Sequence, residues 1–127
     1  MGAVRILLIE DDRLVAGMIR DTLAAEGWEV TVREDGWLGL AEIEGETPYN
    51  LIITDYELSG VDGATLSRAT RTALHRRYVP VVMFTASPVE QEALAAGADL
   101  FLRKPQDVGV LIEAIRGLLI GSRVRRT

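Results

Sequence analysis

Short apolar runs alternate with longer amphipathic ones along all 127 residues of this chain, and no other feature restricts its fold so tightly. The short runs are Ile6-Leu7-Leu8-Ile9, Val30-Thr31-Val32, Leu51-Ile52-Ile53, Val79 to Phe84, and Leu100-Phe101-Leu102. Runs this brief, nearly continuous and rich in β-branched residues read as strands buried on both faces. Between them lie helical patterns. Leu14, Val15, Met18, Ile19 and Leu23 form one stripe. Val108, Leu111, Ile112, Ile115, Leu118 and Leu119 form another, with Asp107 as its expected N-cap. Segments 36–44, 63–77 and 89–96 are expected helices with weaker stripes, and Gly27, Gly45 and Gly97 stand where helices should stop. The order is therefore βα repeated five times, which implies an α/β fold with a parallel sheet covered by helices on both faces. Five units are too few to close a βα barrel, so an open, doubly wound, three-layer sheet remains. One domain is expected over 1–127, with a folded core at 3–121 and a polar, basic tail or linker start at 122–127.

Composition removes several function classes. With no cysteine, disulfides, thiolate metal sites and cysteine nucleophiles are excluded. A net charge of -5 argues against direct nucleic-acid binding. No apolar stretch is long enough to span a bilayer and the N-terminus lacks a signal-peptide layout, so no membrane partner is expected and the cytoplasm is the expected compartment.

In an open parallel sheet, ligands bind beyond the carboxyl ends of the strands. The first strand ends in Glu10-Asp11-Asp12, the third in Asp55, the fourth in Thr85, and the fifth leads through Arg103 to Lys104. Lys104 is the only lysine among 14 basic residues, and it precedes Pro105. An ammonium is a compact point charge where guanidinium is a planar fork, so the two hold a single anionic oxygen differently. If Glu10, Asp11, Asp55 and Lys104 meet, three carboxylates face one ammonium. Clustered carboxylates raise their pKa values or recruit a cation, and oxygen ligands without histidine or cysteine suit Mg²⁺. A carboxylate there can also act as a nucleophile and form an aspartyl-phosphate, with Thr85 and Lys104 neutralising phosphoryl oxygens. Each residue has an ordinary alternative. Asp12 reads as the N-cap of the first helix, Glu10 as a solvated strand end, Asp55 as the start of a turn and Thr85 as a helix cap. Arg33-Glu34-Asp35, after the second strand, are assigned to the sheet edge and to solvent.

The motifs Ile9-Glu10-Asp11-Asp12, Leu51 to Asp55, Phe84-Thr85-Ala86, and Gly97-Ala98-Asp99 running on to Lys104-Pro105 resemble the receiver domain of two-component response regulators. The resemblance covers essentially the whole chain. It implies a flavodoxin-like, chemotaxis-regulator-like fold with strand order 2-1-3-4-5. It also implies that Asp55 is the phosphoacceptor, served by a histidine kinase or phosphotransfer protein. Asp11 would ligate Mg²⁺ directly, Glu10 would hold a metal-bound water, and the Glu57 backbone carbonyl would be a further ligand. Thr85 and the amide of Ala86 would bind the phosphoryl group and Lys104 would pair with it. Phe101 falls at the switch aromatic, and Lys104-Pro105 at a cis peptide. The product would be a signalling switch that catalyses only its own phosphorylation and dephosphorylation. Its downstream protein target is not identified, and it would be a monomer or a weak phosphorylation-dependent dimer. It would stand alone or be part of a hybrid kinase or multidomain regulator.

Two departures from the receiver pattern stand out. Ser59 occupies the place before Gly60 where receivers usually have proline, which implies a less rigid loop. The stretch from Thr85 to Lys104 is shorter than usual by about one helical turn, and the loss falls in the fourth helix. His75 and the group Arg68, Arg71, Arg76 and Arg77 read as solvated surface, and Trp28 and Trp37 as packing residues at helix ends. Among other functions, an aspartate-nucleophile phosphatase would carry a second aspartate where Glu57 stands. A nucleotide-binding module would need a glycine-rich loop where Glu10 to Arg13 stand. The lone lysine yields a test. Lys104→Arg is expected to fold, to accept a phosphoryl group, and to lose the conformational response in NMR shifts. Normal switching would mean that lysine's scarcity is only composition.

Overall fold

The computed structural model describes the backbone of residues 3–126 and the side chains of 3–121. Five strands, β1 (Arg5–Ile9), β2 (Glu29–Arg33), β3 (Leu51–Thr54), β4 (Val81–Thr85) and β5 (Leu100–Arg103), pair in parallel in the order β2-β1-β3-β4-β5. This is the expected order. The helices are α1 (Arg13–Ala24), α2 (Gly36–Glu44), α3 (Gly63–Thr72), α4 (Glu90–Ala95) and α5 (Leu111–Arg126), with 3₁₀ turns at Leu74–Arg76 and Val108–Val110.

Alternation along each strand divides the core into two layers. Ile6, Leu8, Leu51, Ile53, Val82, Phe84 and Leu102 face one side, where Ala16, Ile19 and Leu23 of α1 and Leu111 and Ile115 of α5 cover them. Leu7, Ile9, Ile52, Val81 and Met83 face the other, under Ile43 of α2, Leu66 of α3 and Ala93 of α4. The three central strands are buried apart from Arg5 at the start of β1. Each fully buried Leu, Ile or Val contributes about 1.5–3 kcal/mol relative to exposure. β2, at the sheet edge, is only half-buried, which suits the polar Thr31 within it.

Aspartates cap three helices. Asp12 accepts from Leu14 and Val15 N–H at the start of α1, as expected. Asp35 accepts from Leu38 N–H and Asp62 from Thr65 N–H, starting α2 and α3. The segment Arg33 to Asp35 is therefore not simply solvated, because Asp35 is a cap and Arg33 pairs with Glu42. Asp107 departs from expectation too. Its carboxylate accepts from Arg103 N–H at 2.8 Å across the turn after β5, so it is spent before α5 begins at Leu111. α4 has six residues, in keeping with the shortened segment. The backbone of α5 runs to Arg126, and the expected tail at 122–127 lies outside the described side chains. Among the described residues, no helix is long and apolar enough to cross a membrane.

The expected helix over 63–77 stops at Thr72, because Ala73 is extended (ψ 119°) and the chain turns inward. This overturns the reading of four solvated arginines. Arg68 and Arg77 are exposed, but Arg76 is only 2% exposed. Its guanidinium donates to the carbonyls of Glu42, Ile43 and Gly45, capping the C-terminus of α2, and lies 5.2 Å from the Tyr49 ring centroid. Arg71 binds the carbonyls of Gly97, Arg77 and Val79 and pairs with Asp99. Helix C-terminal carbonyls carry partial negative charge and lack intrahelical partners, which a buried guanidinium satisfies. His75, like Arg68 and Arg77, lies on the surface as expected. It is exposed, with Nε2 2.8 Å from the Gly45 carbonyl. Arg76→Met is expected to lower unfolding free energy by about 2–4 kcal/mol in urea titration, since three carbonyls lose a charged donor. Arg68→Ala, on the open surface, should change it little; equal effects would contradict the buried cap.

Candidate functional site

At the carboxyl edge the strand ends converge. Glu10 follows β1 and is 2% exposed. Its Oε2 accepts the Asp12 N–H at 3.1 Å and its Oε1 accepts from Lys104 Nζ. Asp55 follows β3. Its Oδ1 accepts from Tyr56 N–H (2.7 Å) and Glu57 N–H (3.3 Å), and its Oδ2 from Lys104 Nζ (2.9 Å). Asp11 is exposed beside them, and carboxylate oxygens of Glu10, Asp11 and Asp55 lie within 4.8 Å of one another. Lys104 bridges the two less exposed carboxylates from the turn after β5. The Lys104-Pro105 bond is cis, as expected, and Lys104 N–H donates to the Thr85 carbonyl at 3.0 Å.

The expected residues separate into those that meet and those that only border. Glu10, Asp11, Asp55 and Lys104 form one cluster. Thr85 ends the neighbouring strand, buried, and its hydroxyl accepts from Ser87 N–H at 3.2 Å. Ala86 follows it, exposed. Glu57 is exposed and lines an open groove with Asp11, Tyr56, Leu58, Ser59 and Asp62. Phe101 lies away from the carboxylates, half-buried beside Pro88, Glu90 and Arg103. The pairing of Lys104 with Glu10 as well as Asp55 is what sequence reasoning missed. Only the burial of Glu10 signals it, and burial follows from the packed sheet rather than from local spacing.

Electrostatics make this a strained balance. Burial pushes the Glu10 carboxyl above its ordinary value, against the lowering effects of Lys104 and the Asp12 N–H. Burial also works against the Lys104 ammonium, but its hydrogen bonds to Glu10 and Asp55 outweigh that and raise its pKa. The ammonium thus stays charged between carboxylates that exceed it in charge. Hard oxygen ligands, excess negative charge and no histidine or cysteine in the cluster fit a small divalent cation such as Mg²⁺.

A family model described as the response regulator receiver domain matches residues 6–116. This chain belongs to that family. Transcriptional regulatory protein TrcR of Mycobacterium tuberculosis is 30% identical over 119 residues, which are 91% of this chain and 45% of that protein. The receiver spans about half the length of the curated relatives it matches. Among solved structures, a CheY-like response regulator receiver domain protein from Methanospirillum hungatei superposes with a TM-score of 0.90 at 28% identity, covering 98% of this chain and 99% of that one. The receiver domain of sensor histidine kinase PA1611 from Pseudomonas aeruginosa, with a TM-score of 0.84 at 27% identity over 93% and 98% of the two chains, holds a magnesium ion in its active-site cleft.

The raised Glu10 pKa sets a pH dependence. A group that holds its proton more tightly when folded contributes stability below its unfolded value, near 4.5, and loses it as pH rises through the folded value. In metal-free buffer the melting temperature of Glu10→Gln should therefore gain on that of the unsubstituted receiver as pH rises from about 4 to 7. A gap that stays constant over that range would show that folding leaves Glu10's affinity for protons unchanged.

Proposed function

We propose that this receiver is a phosphorylation-controlled switch in which Asp55 takes a phosphoryl group from the phosphohistidine of a histidine kinase or phosphotransfer protein. The observation that carries this reading is Asp55 Oδ2, 2.9 Å from the chain's sole lysine and clustered with two further carboxylates. Oδ1 is held by two backbone N–H groups, and on this reading Oδ2 attacks phosphorus. The P–N bond to the donor imidazole breaks as the O–P bond forms, and Lys104 passes from Oδ2 to a phosphoryl oxygen. The Thr85 hydroxyl leaves Ser87 N–H for a second oxygen, and the Ala86 amide serves the same group. Asp11, Asp55 and the Glu57 carbonyl would hold Mg²⁺, with Glu10 binding one of its waters. The ion supplies the positive charge that offsets repulsion between carboxylate and phosphoryl oxygens.

Withdrawal of Thr85 toward the phosphoryl group empties space beside β5, which Phe101 can enter. The output face would lie near α4 and α5, altered by this movement. On this reading the receiver performs only its own phosphorylation and dephosphorylation, acts in the cytoplasm through protein partners, and is monomeric or pairs weakly when phosphorylated. It serves alone or as one module of a longer regulator.

Mg²⁺ at millimolar concentration is expected to raise the melting temperature, because it binds the folded cluster and relieves its repulsion. Acetyl phosphate with Mg²⁺ should add one phosphoryl mass to the intact chain, and Asp55→Asn should abolish the gain. A modification that survives Asp55→Asn would remove Asp55 from this role.

A further inference from the structure

Trp37, near the start of α2, is 65% exposed, yet its indole is not idle. The ring rests on the backbone of Gly60, where a Cβ would lie 2.4 Å from Trp37 Cδ1 and 2.6 Å from Nε1. Gly60 has φ +84°, a conformation that favours glycine, so both the turn and the indole contact require a residue without a side chain. Beside it, Gly36 N–H donates to the Ser59 carbonyl at 2.9 Å. A Cβ on Gly36 would stand 1.8 Å from the Val61 carbonyl oxygen. Residues 59, 60 and 61 are thus each held by one of the first two residues of α2. That helix is itself anchored, by Asp35 at its start, by Arg76 at its end and by Gly39 against Ile9 of β1.

The segment so held is the second half of the loop that begins with Asp55 and Glu57 and ends at the Asp62 cap of α3. Ser59 leaves it without a proline to limit its conformations. We propose that Trp37 is a positioning residue for the site, clamping this loop from outside so that the Glu57 backbone stays in place for cation and phosphoryl chemistry at Asp55. The clamp does by contact between elements what a proline at 59 would do by fixing φ. This rests on the reading of Asp55 and its cation given under Proposed function.

Without the indole, the loop's order must be established when the ligand binds, which weakens binding. In the full chain, Trp37→Ala should weaken Mg²⁺ binding by calorimetric titration, and slow acetyl-phosphate uptake, about three- to tenfold. Its Mg²⁺-free melting temperature should stay near that of the unsubstituted chain, because the ring is mostly exposed. Trp37→Phe should retain most of the affinity. Ser59→Pro, at a position whose N–H donates to no partner among the described residues, should restore the affinity lost in Trp37→Ala and change little alone. Hydrogen exchange at the Gly36, Tyr56 and Glu57 amides in Mg²⁺-free protein reads the clamp separately, and should quicken in Trp37→Ala. Unchanged exchange, unchanged Mg²⁺ affinity, or a loss that Ser59→Pro does not repair would overturn the clamp. If exchange quickens while the unsubstituted receiver neither binds Mg²⁺ nor gains a phosphoryl group, the clamp stands and the reading of Asp55 falls.

Discussion

A parallel sheet covered on both faces leaves its charges only the strand ends, and the rest of this molecule follows from that constraint. The interiors of β1, β3 and β4 pass between two apolar layers in which an unpaired carboxylate would cost several kcal/mol. Glu10, Asp55 and Thr85 therefore lie where their strands emerge. Because all five strands run in parallel, they emerge at one edge. Three carboxylates are brought together there without any local sequence relation between Glu10 and Asp55.

Two cations, at opposite edges of that sheet, show how differently lysine and arginine are used. Arg76, before β4, meets three carbonyls of one helix end, and a guanidinium with several fixed donors suits such a fan of acceptors. Lys104, after β5, meets one oxygen of each of two carboxylates. An ammonium can leave one oxygen for another nearby without reorienting a plane. The first cation is matched to several fixed acceptors and the second to two separate oxygens.

α2 joins these two edges. Arg76 holds its C-terminal carbonyls, and its N-terminal residues lie on the loop that follows Asp55. Gly39 presses against Ile9, the residue before Glu10. A helix tied at both ends and in its middle transmits the packing of the sheet to the acidic cluster. The loop can then keep its course with Ser59 where a proline is usual.

Much of this was legible in the chain itself. The strands fall within one or two residues of the apolar runs, and α2 matches 36–44 at both ends, because alternating burial leaves a periodic record in sequence. Glu10, Asp11, Asp55 and Lys104 each stand just past the end of an apolar run in the sequence, and the fold does bring them together. Of the arginines at 68–77, Arg68 and Arg77 are solvated as charge suggests, whereas Arg71 and Arg76 are drawn in by tertiary partners that charge alone does not reveal. Asp107 stands at the N-cap position of the Val108–Val110 turn but caps nothing with its side chain, since its carboxylate accepts from Arg103 N–H. The sequence by itself determined the element order, the layers and the chemistry available at the carboxyl edge, all of which depend on residue type and spacing. Only the tertiary structure decided that Lys104 bridges Glu10 and Asp55, that Arg76 is buried, and that Trp37 lies on Gly60. Those pairings join residues far apart in the chain, and only packing brings them within reach.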